Sequence, residues 1–448
     1  LPGCGHGASF RRTRARRKTA ALRRRSGSLI GKTIMSIRTR LLGTPRLLLG
    51  VCAYLLALPF FAPQIMSIAL VALTAAFIMT PDRAGAPEPG YRFMVPVLPF
   101  LAAQLLAVAR APDHALASAV LSFELPGLVL FIIMLRRTDW PLRAWMVGFS
   151  LFSAALCLSV IAGWVQVRMG AKLPVLVETP EGALLYSHSW LLAIPNDICA
   201  SAILLVCPLS LLGAPDASRA LRALGIVTVA LTFLTMVILR TRTGFLVAGA
   251  EVAVASLVWR RVLLVIVPAA LLLAAGDAWI GSHTIEKLFY DNNMDNHGVA
   301  GRLGLWASAW AMFMDAKLLG HGAQSFGPLH RAYLPDWSPR FPERRVLWAH
   351  SLFLETLAEQ GVIGLIALSI LLLHPVPTSC LVVMKSGRGP RLSLNIVLGL
   401  AGLAGFCVAA ALELTFIRRW IPIVMFAVIG FAAKALQQHR AAQAVIQV

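Results

Sequence analysis

Twelve apolar segments divide the chain, at about 47–62, 64–80, 93–110, 115–135, 144–167, 190–213, 221–239, 244–258, 262–281, 350–373, 392–413 and 420–436. A helix needs about 20 apolar residues to cross a bilayer, and most of these runs approach that length. The first pair is short and hinged at Pro63; a re-entrant hairpin there would keep the sidedness of all later segments. No internal repeat is evident. The pattern predicts an all-α polytopic membrane protein of about 12 transmembrane helices with one large loop carrying short helices. The expected organisation is a basic tail (1–46), nine helices (47–281), the loop (282–349), three more helices (350–436) and a short tail (437–448).

Composition agrees with this reading. Of 448 residues 58% are hydrophobic and 14% charged, and mean hydropathy is +0.75. Soluble domains carry about twice that charged fraction, so a soluble multidomain protein is excluded. The seven cysteines show no CxxC spacing, which indicates neither a zinc site nor a disulfide scaffold.

The net charge of +21 raises nucleic acid as a partner, but membrane topology explains it better. Lys and Arg accumulate in cytoplasmic loops. With the N-terminal tail placed inside and the segments alternating, 27 of the 41 basic residues fall on the cytoplasmic side. Thirteen lie in residues 1–46, which contain no acid; this reads as a solvated tail beside anionic membrane lipid, not a nucleic-acid arm. Met35-Ser36-Ile37-Arg38 reads like a natural start, making 1–34 an upstream extension, and the first apolar run lies too far in for a cleavable signal peptide.

Two short outer loops break the charge rule, at Arg240/Arg242 and at Arg418/Arg419. Arginine on the translocated face costs insertion energy and invites a functional explanation. The alternative is interfacial snorkelling, and at this level both readings stand.

The loop 282–349 is too small and too charged for an independent core, so it is expected to pack on the membrane helices. Its Asp291–Asn296 stretch lacks EF-hand spacing. From Arg302 to Asp315 the pattern is helical, with Arg302, Trp306, Trp310 and Phe313 on one face. This suits a headgroup-level helix, with Arg302 either a terminal charge or a ligand of a phosphate or pyrophosphate, which a guanidinium can hold by two parallel hydrogen bonds. Gly320-His321-Gly322 is a tight turn, and Arg344 and Arg345 sit in a Pro-rich stretch able to meet anionic headgroups. Next, His350, Leu354, Leu357, Gly361 and Gly364 share a helical face, and the two glycines would admit a second helix closely. His350 then lies at an outer membrane boundary above a packed seam.

His350-Ser351, nine residues, then Gly361-Val362-Ile363-Gly364 resembles the signature of the O-antigen ligase and polymerase superfamily of bacterial envelope glycosyltransferases. Leu365 departs from the Thr usual after it. Gly301-Arg302 with Trp306, Gly320-His321-Gly322 with Phe326, Arg240-Thr241-Arg242-Thr243-Gly244 and Pro195-Asn196-Asp197 resemble other family motifs in the family's order, over roughly 190–370. The resemblance implies a GT-C-like inner-membrane enzyme with cytoplasmic termini and a periplasm-facing site. The donor it implies is an undecaprenyl-diphosphate-linked O-antigen, attacked with inversion by a sugar hydroxyl of lipid A–core oligosaccharide, which completes lipopolysaccharide.

In that chemistry His350 would be the general base, a role suited to an imidazole whose ordinary pKa is about 6.5. Arg240, Arg242 and Arg302 would hold the departing diphosphate. Asn196, His321, Arg344 and Arg345 are candidate substrate contacts. No Asp-x-Asp motif occurs, so the implied mechanism uses no metal, and no cofactor is called for. O-antigen polymerase or protein O-oligosaccharyltransferase activity would use the same donor. A transporter, of a different class, would need ionisable residues at mid-membrane; Asn196-Asp197 is the one hint, with Glu124, Glu251 and Glu413 isolated.

Overall fold

A computed structural model describes residues 44–79, 90–271, 275 and 299–446, apart from 62, 138–139, 171–176, 179–183, 186, 190, 193, 265, 269–270, 339–347 and 386–391. The basic tail up to Gly43, the Asp291–Asn296 stretch, Arg344 and Arg345 therefore lie outside the described residues.

The described helices are α1 (Thr44–Ala57), α2 (Pro63–Met79), α3 (Val97–Ala109), α4 (His114–Ser122), α5 (Glu124–Arg136), α6 (Leu142–Arg168), α7 (Cys199–Ile203), α8 (Val206–Gly213), α9 (Arg219–Ile238), α10 (Arg242–Ser256), α11 (Val299–Asp315), α12 (Phe326–Leu329), α13 (Leu352–Leu373), α14 (Pro375–Lys385), α15 (Leu392–Leu412) and α16 (Trp420–Ile446). A two-residue antiparallel ladder, Val177–Glu178 on Leu184–Leu185, interrupts this all-α membrane architecture.

Seven helical stretches are long and apolar enough to cross a membrane: His114–Arg136, Leu142–Arg168, Pro195–Gly213, Arg219–Ile238, Leu352–Met384, Leu394–Leu412 and Trp420–Ala441. Leu48–Ala57, Gln64–Ile78 and Val97–Ala109 are shorter apolar helices. Of the remaining two segments in the sequence pattern, one holds the 15-residue α10, and much of 262–281 lies outside the described residues.

Apolar character on all sides has two consequences. Helix α16 is buried all round at the centre of the bundle, against α5 and α15. Helix α6 buries Trp145, Phe149, Phe152, Leu156 and Val160 along one stripe, yet leaves Leu158 and Trp164 outward, as a lipid-facing helix does.

Two predicted helices are broken. In 190–213 a 3-10 turn over Pro195–Ile198 precedes α7, and the ladder tightens again at Leu204–Leu205, where Cys207 N–H donates to the Leu204 carbonyl at 2.9 Å. In α13, Gly361 adopts φ 65°, ψ −163°. The wheel through His350 and Gly364 assumed an unbroken helix, and the neighbour admitted at Gly361 is a loop, not a second helix. His321 and Gly322 N–H groups donate to the Ala358 and Glu359 carbonyls at 3.0 and 2.8 Å, and Val362 N–H donates to the Lys317 carbonyl at 2.8 Å. A Cβ on Gly361 would stand 2.3 Å from the Leu318 carbonyl oxygen.

This stitching holds α11 and the turn after it against α13. Leu305, Ala309 and Met312 of α11 pack with Phe326, Ala349 and Ala358. Leu303, Trp310 and Met314 are left outward, with Arg302 half-buried at the edge of that face.

Candidate active site

His350 is placed by its backbone before its side chain is considered. It has φ 53°, in the left-handed region, which is unusual for a non-glycine residue and is held only where neighbours over-determine it. The next residue, Ser351, caps α13. Glu355 in the first turn accepts the Ala349 N–H at 2.9 Å and the Thr415 hydroxyl on its other oxygen. The peptide before His350 is thus tied to α13 and to the turn after α15.

The imidazole Nδ1 lies 3.1 Å from Glu413 Oε1. A carboxylate only accepts, so Nδ1 is the donor in this contact and Nε2 is the ring nitrogen that Glu413 leaves unengaged. The other oxygen of Glu413 accepts from the Arg302 guanidinium at 2.6 Å, and the Asn196 side chain also hydrogen-bonds this carboxyl. Glu413 itself is 3% exposed, whereas Arg302 and His350 are 31% and 25% exposed. The carboxylate is a buried hub carrying two groups that reach outward. Burial pushes its pKa up, but His350, Arg302 and Asn196 outweigh that and hold it below the ordinary carboxylate value.

Arg240-Thr241-Arg242 comes to the same end of the bundle. Thr241 is buried and caps α10, its hydroxyl accepting the Gly244 N–H at 3.3 Å. The same hydroxyl hydrogen-bonds Cys199, three residues after Asn196. Arg240 is exposed, with φ 51°, and Arg242 is half-buried in the first turn of α10.

The structure therefore joins His350, Arg302 and Asn196 through one carboxylate and brings the Arg240–Arg242 turn close to Asn196. His321 is elsewhere in the loop. Its Nε2 lies 3.0 Å from the Met312 carbonyl oxygen and 3.6 Å from Asp315, so it closes the turn after α11. Arg344 and Arg345 lie outside the described residues.

Three contributors were not among the candidate site residues read from the sequence, although Asp197 and Glu413 were noted there. Glu413 is the hub. Asp197 accepts the Trp420 indole N–H at 2.9 Å and the Ile194 N–H at 2.9 Å, and Arg418 is 3.6 Å from its Oδ2. Trp348 stands with its ring centroid 5.7 Å from that of His350. A lone acid closing an apolar run, and arginines on the wrong face, were the available signals.

The arrangement offers an imidazole Nε2 not engaged by Glu413, a carboxylate able to stabilise an imidazolium when that nitrogen takes a proton, and a guanidinium with more donors than the one Glu413 accepts from. Among known proteins, the sequence model of the family described as O-antigen ligase matches residues 227–369. That stretch contains Arg240, Arg242, Arg302 and His350, while Asn196, Glu413 and Arg418 lie outside it. No curated protein matches the chain.

Proposed function

From the O-antigen ligase family region that the chain carries over 227–369, we propose that this is a membrane glycosyltransferase moving a glycan from undecaprenyl diphosphate to a sugar hydroxyl of lipid A–core oligosaccharide. The observation that carries the reading is the shared carboxylate: Glu413 holds His350 at 3.1 Å and Arg302 at 2.6 Å. A base and a permanent cation are thereby fixed side by side at one end of the helix bundle.

The acceptor hydroxyl attacks the anomeric carbon of the donor while its proton passes to His350 Nε2. The new glycosidic bond forms as the bond from that carbon to the diphosphate oxygen breaks, with inversion, and the diphosphate leaves with the bonding electrons. Glu413 stabilises the imidazolium that results, as a buried carboxylate does for a histidine base. The free N–H groups of Arg302, with Arg240 and Arg242, meet the charge developing on the leaving group. This end of the bundle faces the periplasm, with 282–349 as the periplasmic loop and both tails cytoplasmic, in a bacterial inner membrane. That orientation follows the excess of Lys and Arg in the opposite loops. The count of about twelve spans belongs to the same proposal.

The transporter alternative rested on Asn196-Asp197, and both side chains are engaged within the protein, Asn196 with Glu413 and Asp197 with the Trp420 indole N–H at 2.9 Å. Reconstitution with purified undecaprenyl-diphosphate glycan, offered both rough lipopolysaccharide and a second lipid-linked glycan, tests the proposal. Glycan joined to core supports ligation. Chain extension would make the protein a polymerase, and an unchanged donor would rule out the chemistry.

A further inference from the structure

We propose that Arg418 is a positioning residue for His350, acting through Trp348; the inference rests on the reading of His350 as the base. The turn between α15 and α16 reaches His350 and Trp348 directly and Ala349 through Glu355. Glu413 meets the His350 ring at 3.1 Å. Thr415 donates to Glu355, whose other oxygen accepts the Ala349 N–H. Arg418 lays its guanidinium over the Trp348 ring, 4.1 Å from the centroid, and Trp348 stands 5.7 Å from the His350 ring at an interplanar angle of 59°. One turn thus shapes the segment that must keep His350 at φ 53°.

Asn196 and Asp197 complete the frame from the other side. Asn196 hydrogen-bonds Glu413, on the Nδ1 side of His350. Asp197 lies 3.6 Å from Arg418, which stands on the Trp348 side. Trp420 fixes Asp197 by donating to its other oxygen at 2.9 Å. The Pro195–Ile198 turn therefore braces the two arms that hold the base.

Stability alone gives a poor account of this arginine. Arg418 is 7% exposed, and among the described residues neither its Nη2 nor the Trp348 Nε1 has a hydrogen-bond partner. An apolar side chain would fill such a place at less desolvation cost. A planar guanidinium stacked on indole fixes the orientation of that ring, which a lysine ammonium does less well. Its neighbour Arg419, half-buried, lays its guanidinium over a different ring, 5.1 Å from the Phe123 centroid. The second pair of arginines that broke the charge rule, Arg418 and Arg419, thus lie over different rings.

The test compares wild type, Arg418→Gln, Arg418→Lys, Trp348→Leu and the Arg418→Gln/Trp348→Leu double variant, all purified in lipid. Two readouts are used: kcat and donor KM for glycan transfer, and the diethyl pyrocarbonate labelling rate of His350, resolved by mass spectrometry with His321 as internal reference. Misplacing a catalytic group lowers turnover more than binding. The expected result for Arg418→Gln is about a tenfold or larger fall in kcat with donor KM within about twofold. Labelling of His350 should rise about threefold while that of His321 is unchanged, and Arg418→Lys should restore little. In the Trp348→Leu background Arg418→Gln should add nothing, because both changes break one path. Full additivity, or an unchanged His350 rate and kcat in a folded Arg418→Gln protein, would overturn the proposal. If Arg418→Gln does not fold, Trp348→Leu alone must shift His350 labelling, and its failure to do so overturns the proposal equally. A wild type that transfers no glycan refutes the functional reading, and the labelling arm still decides the positioning.

Discussion

Glu413→Gln is the most informative single change in the site, because it keeps the shape and removes the charge. In the native protein both carboxylate oxygens accept, one from His350 at 3.1 Å and one from Arg302 at 2.6 Å. A glutamine must turn its NH2 toward one of these donors. Facing His350, it favours the tautomer with the proton on Nε2, which disables the base. Facing Arg302, it breaks that contact instead. In either case the imidazolium formed during transfer loses its counter-charge. Two unit charges about 4 Å apart at an effective dielectric near 20 interact by about 4 kcal/mol. His350 is a quarter exposed, so solvent screening lowers this to about 2–4 kcal/mol. At about 1.4 kcal/mol per tenfold, kcat should fall by about 30- to 1000-fold. The assay is single-turnover transfer in proteoliposomes, with size-exclusion elution and denaturation temperature confirming the fold. A folded Glu413→Gln protein within about threefold of wild-type kcat would refute the linkage of His350 to this carboxylate.

Arg302→Lys keeps a charge but not the fork, and should lower kcat about tenfold or more in the same assay; undiminished turnover would leave Arg302 a merely interfacial charge. Glu413 has its pKa held below the ordinary 4.5, so its contribution to stability is fully present above that pH and lost as pH falls through the lowered value. The denaturation-temperature gap between wild type and Glu413→Gln should therefore narrow as pH falls below 4.5 and the carboxylate is protonated, and a gap that does not narrow there would contradict the ion-pair account. Gly361→Ala combines a left-handed backbone with a Cβ placed 2.3 Å from the Leu318 carbonyl. It should cost about 2–5 kcal/mol and lower the denaturation temperature in detergent; an unchanged temperature would mean that α13 does not break there.

Much of the fold was legible because lipid-facing and core-facing helices both need long apolar runs, which leave a strong signal in sequence. The breaks were less visible. A helical wheel reports which residues share a face, not whether φ changes sign, so Gly361 and Gly364 read as a helix seam when Gly361 serves a loop crossing. Motifs placed His350, Arg302 and Asn196 in order along the chain. Their common partner, Glu413, lies 63 residues beyond His350 with no spacing rule to connect them. Arg418 was legible only as a violation of loop charge, since periodicity cannot show that its guanidinium stacks on Trp348. His321 was legible as a turn residue, for which the flanking glycines suffice.

The central claim is that His350 is the base for glycan transfer from a lipid diphosphate. Its most direct test is single-turnover transfer from purified undecaprenyl-diphosphate glycan to rough lipopolysaccharide, with wild type and His350→Ala compared at equal folded concentration. The account predicts ligated product with wild type, and none above about a thousandth of that rate with His350→Ala, the span of a lost general base and its associated charge. Equal product from both proteins would contradict it.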